Sequence, residues 1–315
     1  MRTFAFPASA IAALFVVALN VSPAQAQTVL WVASNGSDMN PCQRASPCAT
    51  FSRAHNAMPA TGSEIKCVDS AFYGLVLTIT KSVTIDCDIG VVGWITVTVA
   101  ATDVVTLRGL DIQGFRLNYS DIFGLRFNGA GLLVLDKVKI RGFQGSGGAL
   151  GFFPNGPAKL VMTNSTVSDN GSGGNILIKP TGGAEVQVVF DRVSVASSVF
   201  GIKADGSDQT SGQIDVDVRD TVSAHHSNNG LLAVADAGQA PIHYKITRST
   251  AFNNGLHGAV AWGAQAFMIV SGASLTKNGT GLGQLNSSTV ATYTNNDVNF
   301  NTTNVAGSIT AIAQR

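Results

Sequence analysis

Apolar and polar residues alternate in short runs along most of the chain, as in QIDVDV at 213–218. A period of two places the apolar side chains on one face of a β-strand and the polar side chains on the other. Val, Ile, Thr, Ser, Asn and Gly make up these runs and the turns between them, and no long stretch has the 3.6-residue apolar period of a surface helix. The pattern predicts an all-β protein with many short strands.

The runs recur at an interval of about 28 residues. LRGLDIQGF at 107–115 is followed by LDKVKIRGF at 135–143, and related segments begin at 163, 191, 219, 247, 271 and 294. Each unit predicts an alternating strand, a short second strand, an Asn/Gly turn, a third strand and a Gly-rich loop. One unit cannot bury its apolar face alone, so the units are expected to stack with equivalent strands parallel and ~4.8 Å apart.

Other repeat architectures fit this pattern less well. The Leu-x-x-Leu-x-Leu motif of leucine-rich repeats is missing, and a propeller blade needs ~40 residues and four strands. A β-sandwich would not keep one register over eight units. We therefore predict a parallel β-helix (a solenoid) of about eight coils over residues 62–315.

The segment 27–61 does not repeat, and we expect it to cap the open N-terminal end of the solenoid, where core and strand edges would otherwise be exposed. A short helix is predicted there, from Thr50 as the N-cap residue to about Met58. Residues 1–26 have the pattern of a secretory signal peptide. Arg2 precedes an apolar stretch at 8–19, and a small-x-small cleavage signal ends at Ala26.

The apolar stretch is too short to span a bilayer, and no later segment reaches the ~18 apolar residues of a membrane helix. We therefore expect a secreted or periplasmic protein with no membrane span. The formal net charge of +1 in 315 residues offers no basic surface for nucleic acid. No nucleic-acid partner is expected.

Four cysteines lie near the N-terminus of the predicted mature chain. In an exported protein an even number favours two disulfides, and the C-x2-C pairs usual in structural zinc sites are missing, so no metal site is expected. IKC at 65–67 and IDC at 85–87 have matching patterns 20 residues apart. On stacked strands they would bring two cysteines within bonding reach. The predicted disulfides are Cys42–Cys48 and Cys67–Cys87.

The coil ITRSTAFNNGLHGAV at 246–260 resembles the repeating unit of the right-handed parallel β-helix proteins of the pectin-lyase-like superfamily. The resemblance covers residues ~62–300 and implies the fold. It implies little about activity, because the superfamily contains lyases, hydrolases, esterases, adhesins and many uncharacterised exported members. The pectate-lyase Arg-x-Pro-x-x-Arg pattern and the polygalacturonase motifs are missing here. Only GLHG at 255–258 loosely resembles Gly-His-Gly.

A 28-residue register stacks charged residues on the outward side of the longest strands. The candidate catalytic residues are Asp215, Asp217, Arg219, His243 and Lys245. The two aspartates would hold Ca²⁺ or a sugar, while Lys245 or Arg219 would remove a proton beside a uronate carboxylate. The simpler interpretation is a solvated sheet face with cross-strand ion pairs, Asp217 with Lys245 and Asp191 with Arg219.

Three further residues are candidates for ligand binding: Trp262, His257 and Asp191. Trp262 offers a ring for a pyranose face, whereas Phe115 and Phe143, at equivalent repeat positions, are expected to stack inside the solenoid. His226 shares its repeat position with Asn170, Ser198 and Asn254. It is therefore predicted to be a turn residue in a ladder whose Asn members favour the left-handed conformation.

Two functions from different classes remain. The first is a non-catalytic module that binds a polysaccharide or cell-surface glycan or has a structural role at the surface. The second is a polysaccharide lyase or glycoside hydrolase acting on an acidic polysaccharide. A long loop that walls the charged face would favour the enzyme, whereas the short Gly-rich loops of this sequence favour an open face.

Overall fold

The computed structural model describes residues 28–59, 62–118 and 120–313. They form one α-helix, α1 (Phe51–Ala57), and 29 strands. The predicted signal peptide lies outside the described residues. The strands are, in chain order, β1 Val29–Val32, β2 Ser63–Cys67, β3 Ala71–Phe72, β4 Val76–Ile79, β5 Val83–Val92, β6 Trp94–Val97, β7 Val104–Gln113, β8 Phe123–Phe127, β9 Gly131–Asp136, β10 Lys139–Arg141, β11 Gly148–Phe152, β12 Ala158–Thr163, β13 Thr166–Ser168, β14 Ile176–Ile178, β15 Glu185–Asp191, β16 Ser194–Ala196, β17 Ile202–Asp205, β18 Gln213–Arg219, β19 Val222–Ala224, β20 Leu231–Val234, β21 Ile242–Thr247, β22 Thr250–Phe252, β23 His257–Trp262, β24 Ala266–Ser271, β25 Ser274–Thr276, β26 Thr280–Leu285, β27 Thr289–Thr292, β28 Thr303–Ala306 and β29 Thr310–Ala311.

The strands wind into a solenoid of about eight turns with parallel pairing throughout the two sheets. A typical coil gives a long strand and a short strand to the 19-stranded sheet, such as β18 and β19, and a third strand such as β20 to the 10-stranded sheet. Asp217 pairs with Val189 on one side and with Lys245 on the other. The predicted fold, the three-strand unit and this 28-residue register are confirmed.

The core runs along the inside of the solenoid and consists of the inward residue of each alternating pair. Val216 and Val218 are 2% and 0% exposed, as their positions predicted. Each such side chain stabilises the fold by ~1.5–3 kcal/mol relative to an exposed one. Because the same positions recur in every coil, the inner side chains form one continuous cluster from Leu30 to Val290.

Two tight turns in each coil place one residue in the left-handed region. We call the turn between the long and short strands the first turn, and the turn between the short strand and the second sheet the second turn. Apart from glycines such as Gly109, the left-handed residues include Lys137, Asn164, Arg192, Asp220 and Arg248 in the first turn, and Asp169, Ser197, His225, Asn253, Lys277 and Phe300 in the second. In the second turn the left-handed residue is the one before the ladder residue, such as Asn253 before Asn254. The prediction that the asparagines of the ladder are themselves left-handed was therefore wrong.

The asparagines of the ladder point inward and bond from coil to coil. Oδ1 of Asn278 accepts from the backbone N–H of Asn254 at 3.0 Å, and Nδ2 of Asn278 donates to the carbonyl of Ala251 at 3.0 Å. Asn301 repeats the arrangement one coil further on, accepting from the N–H of Asn278 at 2.8 Å. These bonds satisfy polar backbone groups that the turns leave buried.

The N-terminal segment packs against the first coils. Oγ1 of Thr50 accepts from the backbone N–H of Arg53 at 3.1 Å and caps α1, as predicted. Phe51 and Ala54 of this helix are fully buried. β1 pairs in parallel with β2, so the sheet begins within this segment.

Both predicted disulfides form, Cys42–Cys48 and Cys67–Cys87. Ile65 pairs with Ile85 on neighbouring rungs, which sets the Cα atoms of Cys67 and Cys87 5.2 Å apart.

The predicted internal stack of Phe115 and Phe143 was wrong. Phe143 is buried, but Phe115 has a φ of 54° and is 41% exposed. Its ring lies edge-on to that of Phe72, with centroids 5.6 Å apart. The left-handed backbone turns Phe115 away from the core, which the repeat position alone did not reveal.

Candidate functional site

The predicted catalytic residues lie together on the outer surface of the long strands. We call this surface, formed by β9, β12, β15, β18, β21 and β24, the long-strand face. Because Val216 and Val218 point inward, their neighbours Asp215, Asp217 and Arg219 point outward. The next strand places His243 beside Asp215 and Lys245 beside Asp217. The alternation and the register therefore bring all five residues onto two adjacent rungs.

The ion pairs on this face differ from the predicted cross-strand pairs. Asp217 contacts Nη2 of Arg219, two residues along its own strand, at 2.7 Å. Asp191 contacts Nη1 of Arg192 at 2.6 Å, because Arg192 is the left-handed residue that begins the first turn. The pairs Asp217–Lys245 and Asp191–Arg219 are replaced by these contacts, so that prediction was wrong. Asp215 does pair across strands, at 3.2 Å from Nδ1 of His243.

Two lysines of the long-strand face keep their charge unpaired. Lys245 and Lys159 are both exposed, and neither takes part in an ion pair with any residue in the described ranges. The two aspartates near Lys245, in contrast, each have a basic partner. The face therefore presents two ammonium groups without an ion-pair partner. Near them, Asp217 is paired by Arg219 and Asp215 contacts His243, while the exposed Glu185 lines the same cavity as Lys159 and forms no ion pair with a described residue.

Concave surfaces adjoin both ends of this charged region. A cavity of about 420 Å³ has Val104, Leu132 and Ala158 among its apolar lining, with Lys159 and Glu185 also lining it. At the other end, a cavity of about 260 Å³ is lined by His243, Tyr244, Lys245, Phe267 and Ile269. The Phe267 ring lies edge-on to His243, with centroids 6.0 Å apart.

Sequence reasoning missed Phe267, Ile269 and Glu185. Phe267 pairs with His243, and Ile269 with Lys245. The coil that carries them begins 24 rather than 28 residues after its predecessor, comparing Ile242 with Ala266. Allowing this shorter interval would have extended by one strand the two outward rows of residues that contain His243 and Lys245.

The long-strand face is open to solvent. The segments that lead into β12, β15, β18 and β21 cover only 153–157, 179–184, 206–212 and 235–241. None of these is long enough to fold over the face as a wall. The sequence prediction of short loops and a shallow surface is consistent with these lengths.

A calcium ion does not fit Asp215 and Asp217. Oδ1 of Asp215 accepts from Nε2 of Gln213 at 2.7 Å and also contacts His243, while Asp217 is engaged by Arg219. No group of three or more His, Cys, Asp or Glu residues within the described part of the chain is arranged to hold a metal. Calcium prefers six to eight oxygen ligands, so no step is assigned to it.

Two of the three other predicted ligand-binding residues do not join this site. Trp262 and His257 belong to β23 in the second sheet, on another side of the solenoid. The Trp262 ring is 40% exposed. His257 is half-buried, with Nδ1 2.9 Å from Oδ1 of Asn229, and burial lowers its pKa. Asp191 does lie on the long-strand face, beside Arg219 at the end of its long strand and next to the first turn.

The first turns form a polar edge beside the long-strand face, which sequence reasoning also missed. Arg248 bonds both carboxylate oxygens of Asp220, at 2.9 and 2.7 Å, and this contact lowers the pKa of Asp220. One coil away, Nε of Arg192 donates to Oδ1 of Asn164 at 2.8 Å. These side chains satisfy one another, so they stabilise the turns rather than present free groups to a ligand.

No helix in the described ranges is long and apolar enough to cross a membrane. No model of a known protein family matches the sequence. No curated protein matches it either.

Solved structures do match the fold. A rhamnogalacturonan lyase aligns with a TM-score of 0.57 and 13% identity, over 84% of this chain and 75% of its own. The pectate lyase Pel9A aligns with a TM-score of 0.54 and 15% identity, over 87% of this chain and 79% of its own. At these identities the likeness concerns the fold. The chain therefore shares a parallel β-helix fold with these two structures.

Proposed function

We propose that this protein binds an acidic polysaccharide along the long-strand face and does not cleave it. The observation that carries the proposal is the pair of unpaired lysines, Lys159 and Lys245, on one open face with a cavity at each. Lys159 stacks through Gln187 and Asp215 on His243, and Lys245 lies two residues beyond His243 on the same strand, so the two lysines are three rungs apart. At the usual strand spacing this is ~14 Å along the solenoid axis. A polymer laid along the axis would meet both charges.

The surface between the lysines suits a sugar chain. Val161 and Val189 point outward there and are half-exposed, so they offer apolar contact to the C–H faces of pyranose rings. Gln187 and the Asp215–His243 pair offer hydrogen-bonding groups beside them. Because strands hold these side chains in fixed positions, little ordering entropy is lost when a ligand binds.

We also propose that the protein is exported, with residues 1–26 as the signal peptide, 27–61 as the cap and 62–315 as the solenoid. Two disulfides support export, because such bonds persist in oxidising compartments.

A polysaccharide lyase is the second candidate. The free Lys245 supports it, because a lyase needs a base that removes the proton next to a uronate carboxylate. The two matching solved structures are a rhamnogalacturonan lyase and a pectate lyase. Against it, the face has no wall to exclude water, and the two aspartates nearest Lys245, Asp217 and Asp215, are engaged by Arg219 and His243. We therefore favour binding.

A screen of the purified protein against acidic and neutral polysaccharides tests both candidates. Binding is measured by co-sedimentation or affinity electrophoresis, and cleavage by unsaturated products and new reducing ends. The expected result is retention on acidic polysaccharides with neither product. Unsaturated ends would establish the lyase, new reducing ends without unsaturation a hydrolase, and no retention on any acidic polysaccharide would contradict the proposal.

A further inference from the structure

The second turns of the C-terminal coils line a separate, open surface cavity of about 540 Å³. Successive coils contribute His225, Asn253 and Lys277 to its lining, and Ser227 and Thr302 add hydroxyl groups. The turns that carry these residues connect the short strands to the second sheet, so they lie outside the long-strand face. The proposed function makes no use of this cavity.

The side chains of the cavity are partly prearranged. The side-chain amide of Asn253 lies 2.9 Å from Nδ1 of His225. With this amide donating, the neutral His225 ring carries its proton on Nε2, which is then its remaining donor. The ring of Phe252 lies edge-on to His225, with centroids 5.8 Å apart, and limits its rotation. Nζ of Lys277 lies 5.7 Å from the centre of the Phe300 ring.

The residue types at these turns are not those that the backbone favours. His225, Lys277 and Phe300 have φ values of 60°, 61° and 59°. Gly or Asn adopts this conformation most readily, while other residues lose ~1–2 kcal/mol there. Three coils thus carry bulky or basic side chains where Asn, as at position 253, would be less strained.

The charge of the lining selects the ligand. Lys277 brings a positive charge to the cavity, and none of the lining residues in the described structure is acidic. Lys277 takes part in no ion pair with another described residue. We infer that this cavity is a second binding site, which takes the carboxylate or sulfate group of an acidic saccharide. Lys277 neutralises the anion, His225 and Asn253 donate hydrogen bonds, and the exposed Phe300 ring packs against the sugar.

The test is an NMR titration of the purified protein with two short probes, a galacturonate trisaccharide and a sulfated galactose disaccharide, and with maltotriose as the neutral control. The amide signals of Ser227, Gly255 and Gly279 report on this cavity. Lys277→Gln removes the charge. Lys137→Gln is the matched control, because Lys137 is also an exposed lysine with a left-handed backbone, but in a first turn.

We expect at least one anionic probe to shift the three reporter amides while maltotriose does not. Which probe binds more tightly distinguishes carboxylate from sulfate. Lys277→Gln should weaken that binding about five- to tenfold, and Lys137→Gln should leave it unchanged. Equal affinity in the two variants, or no shift at the reporter amides with either anionic probe, would overturn the inference. Signals from the long-strand face report on the proposed function separately, so either claim can fail alone.

Discussion

The backbone N–H of His226 donates to Oδ1 of Asn254 at 3.2 Å, but the His226 side chain does not continue the ladder in the other direction. Its ring is 2% exposed, and neither ring nitrogen has a hydrogen-bond partner of good geometry. Backbone groups at Val195 and Ser198 are near enough to favour its protonated form slightly. His226 therefore interrupts a ladder that asparagine continues in the coils beyond it.

His226→Asn should stabilise the protein. Asparagine at this position would accept from the backbone of the preceding coil and donate to a carbonyl, as Asn254 and Asn278 do. Removing buried polar atoms that lack partners should raise the free energy of unfolding by ~1–3 kcal/mol. Chemical denaturation at pH 7.5 measures it. The reverse substitution, Asn254→His, should destabilise by a similar amount, and a less stable His226→Asn protein would contradict this account of the ladder.

Stability should fall in mild acid because of the same residue. Burial lowers the pKa of His226 to about 4, whereas an unfolded histidine titrates near ~6.5. The unfolded chain therefore takes up a proton first as the pH falls below ~6.5, and the free energy of unfolding decreases until the pH reaches about 4. The loss is on the order of 3 kcal/mol for a shift of this size.

The measurement is the urea midpoint at pH 7.5, 5.5 and 4.5 in the natural protein and in His226→Asn. Burial also lowers the pKa values of His55 and His257, so both proteins should lose some stability. The difference between them isolates His226 and should grow as the pH falls. A constant difference would show that His226 is not the acid-sensitive group.

The sequence predicted those features that depend on periodicity. The 28-residue interval set the pairing of Asp217 with Lys245, and the alternation set which side of the strand each residue faces. It did not predict the ion pairs, because the reach and rotamer of Arg219 decide whether Asp217 is bound along the strand or across it. Phe115 was misplaced for a related reason, since its outward direction follows from a backbone dihedral rather than from spacing.

The register can be tested with two adjacent substitutions in β18. Val218→Asp places an unpaired carboxylate in the fully buried core and should prevent folding. Asp217→Asn removes one part-exposed ion pair with Arg219 and should change the free energy of unfolding by less than ~1 kcal/mol. Circular dichroism and thermal melting compare the two. Similar tolerance at both positions would mean that the strand is shifted by one residue.

Gly109 should be irreplaceable at the first turn of its coil. It has a φ of 69°, and a Cβ atom there would lie 1.7 Å from the carbonyl oxygen of Cys87 on the neighbouring rung. Gly109→Ala should therefore destabilise by well over ~2 kcal/mol, through both strain and a clash. Gly238→Ala is the control, because Gly238 has a φ of 82° but open space around it, and it should lose only ~1–2 kcal/mol. Equal losses in thermal melts would contradict the close packing of rungs at Gly109.

The central claim is that the long-strand face binds an acidic polysaccharide through its unpaired lysines. Its most direct test compares Lys245→Gln with Lys139→Gln, which removes another exposed strand lysine, from the outer side of a short strand. Isothermal titration with the best polysaccharide from the screen should show affinity about five- to tenfold weaker for Lys245→Gln, unchanged affinity for Lys139→Gln and unchanged melting temperatures for both. Equal affinity in the two variants would contradict the claim.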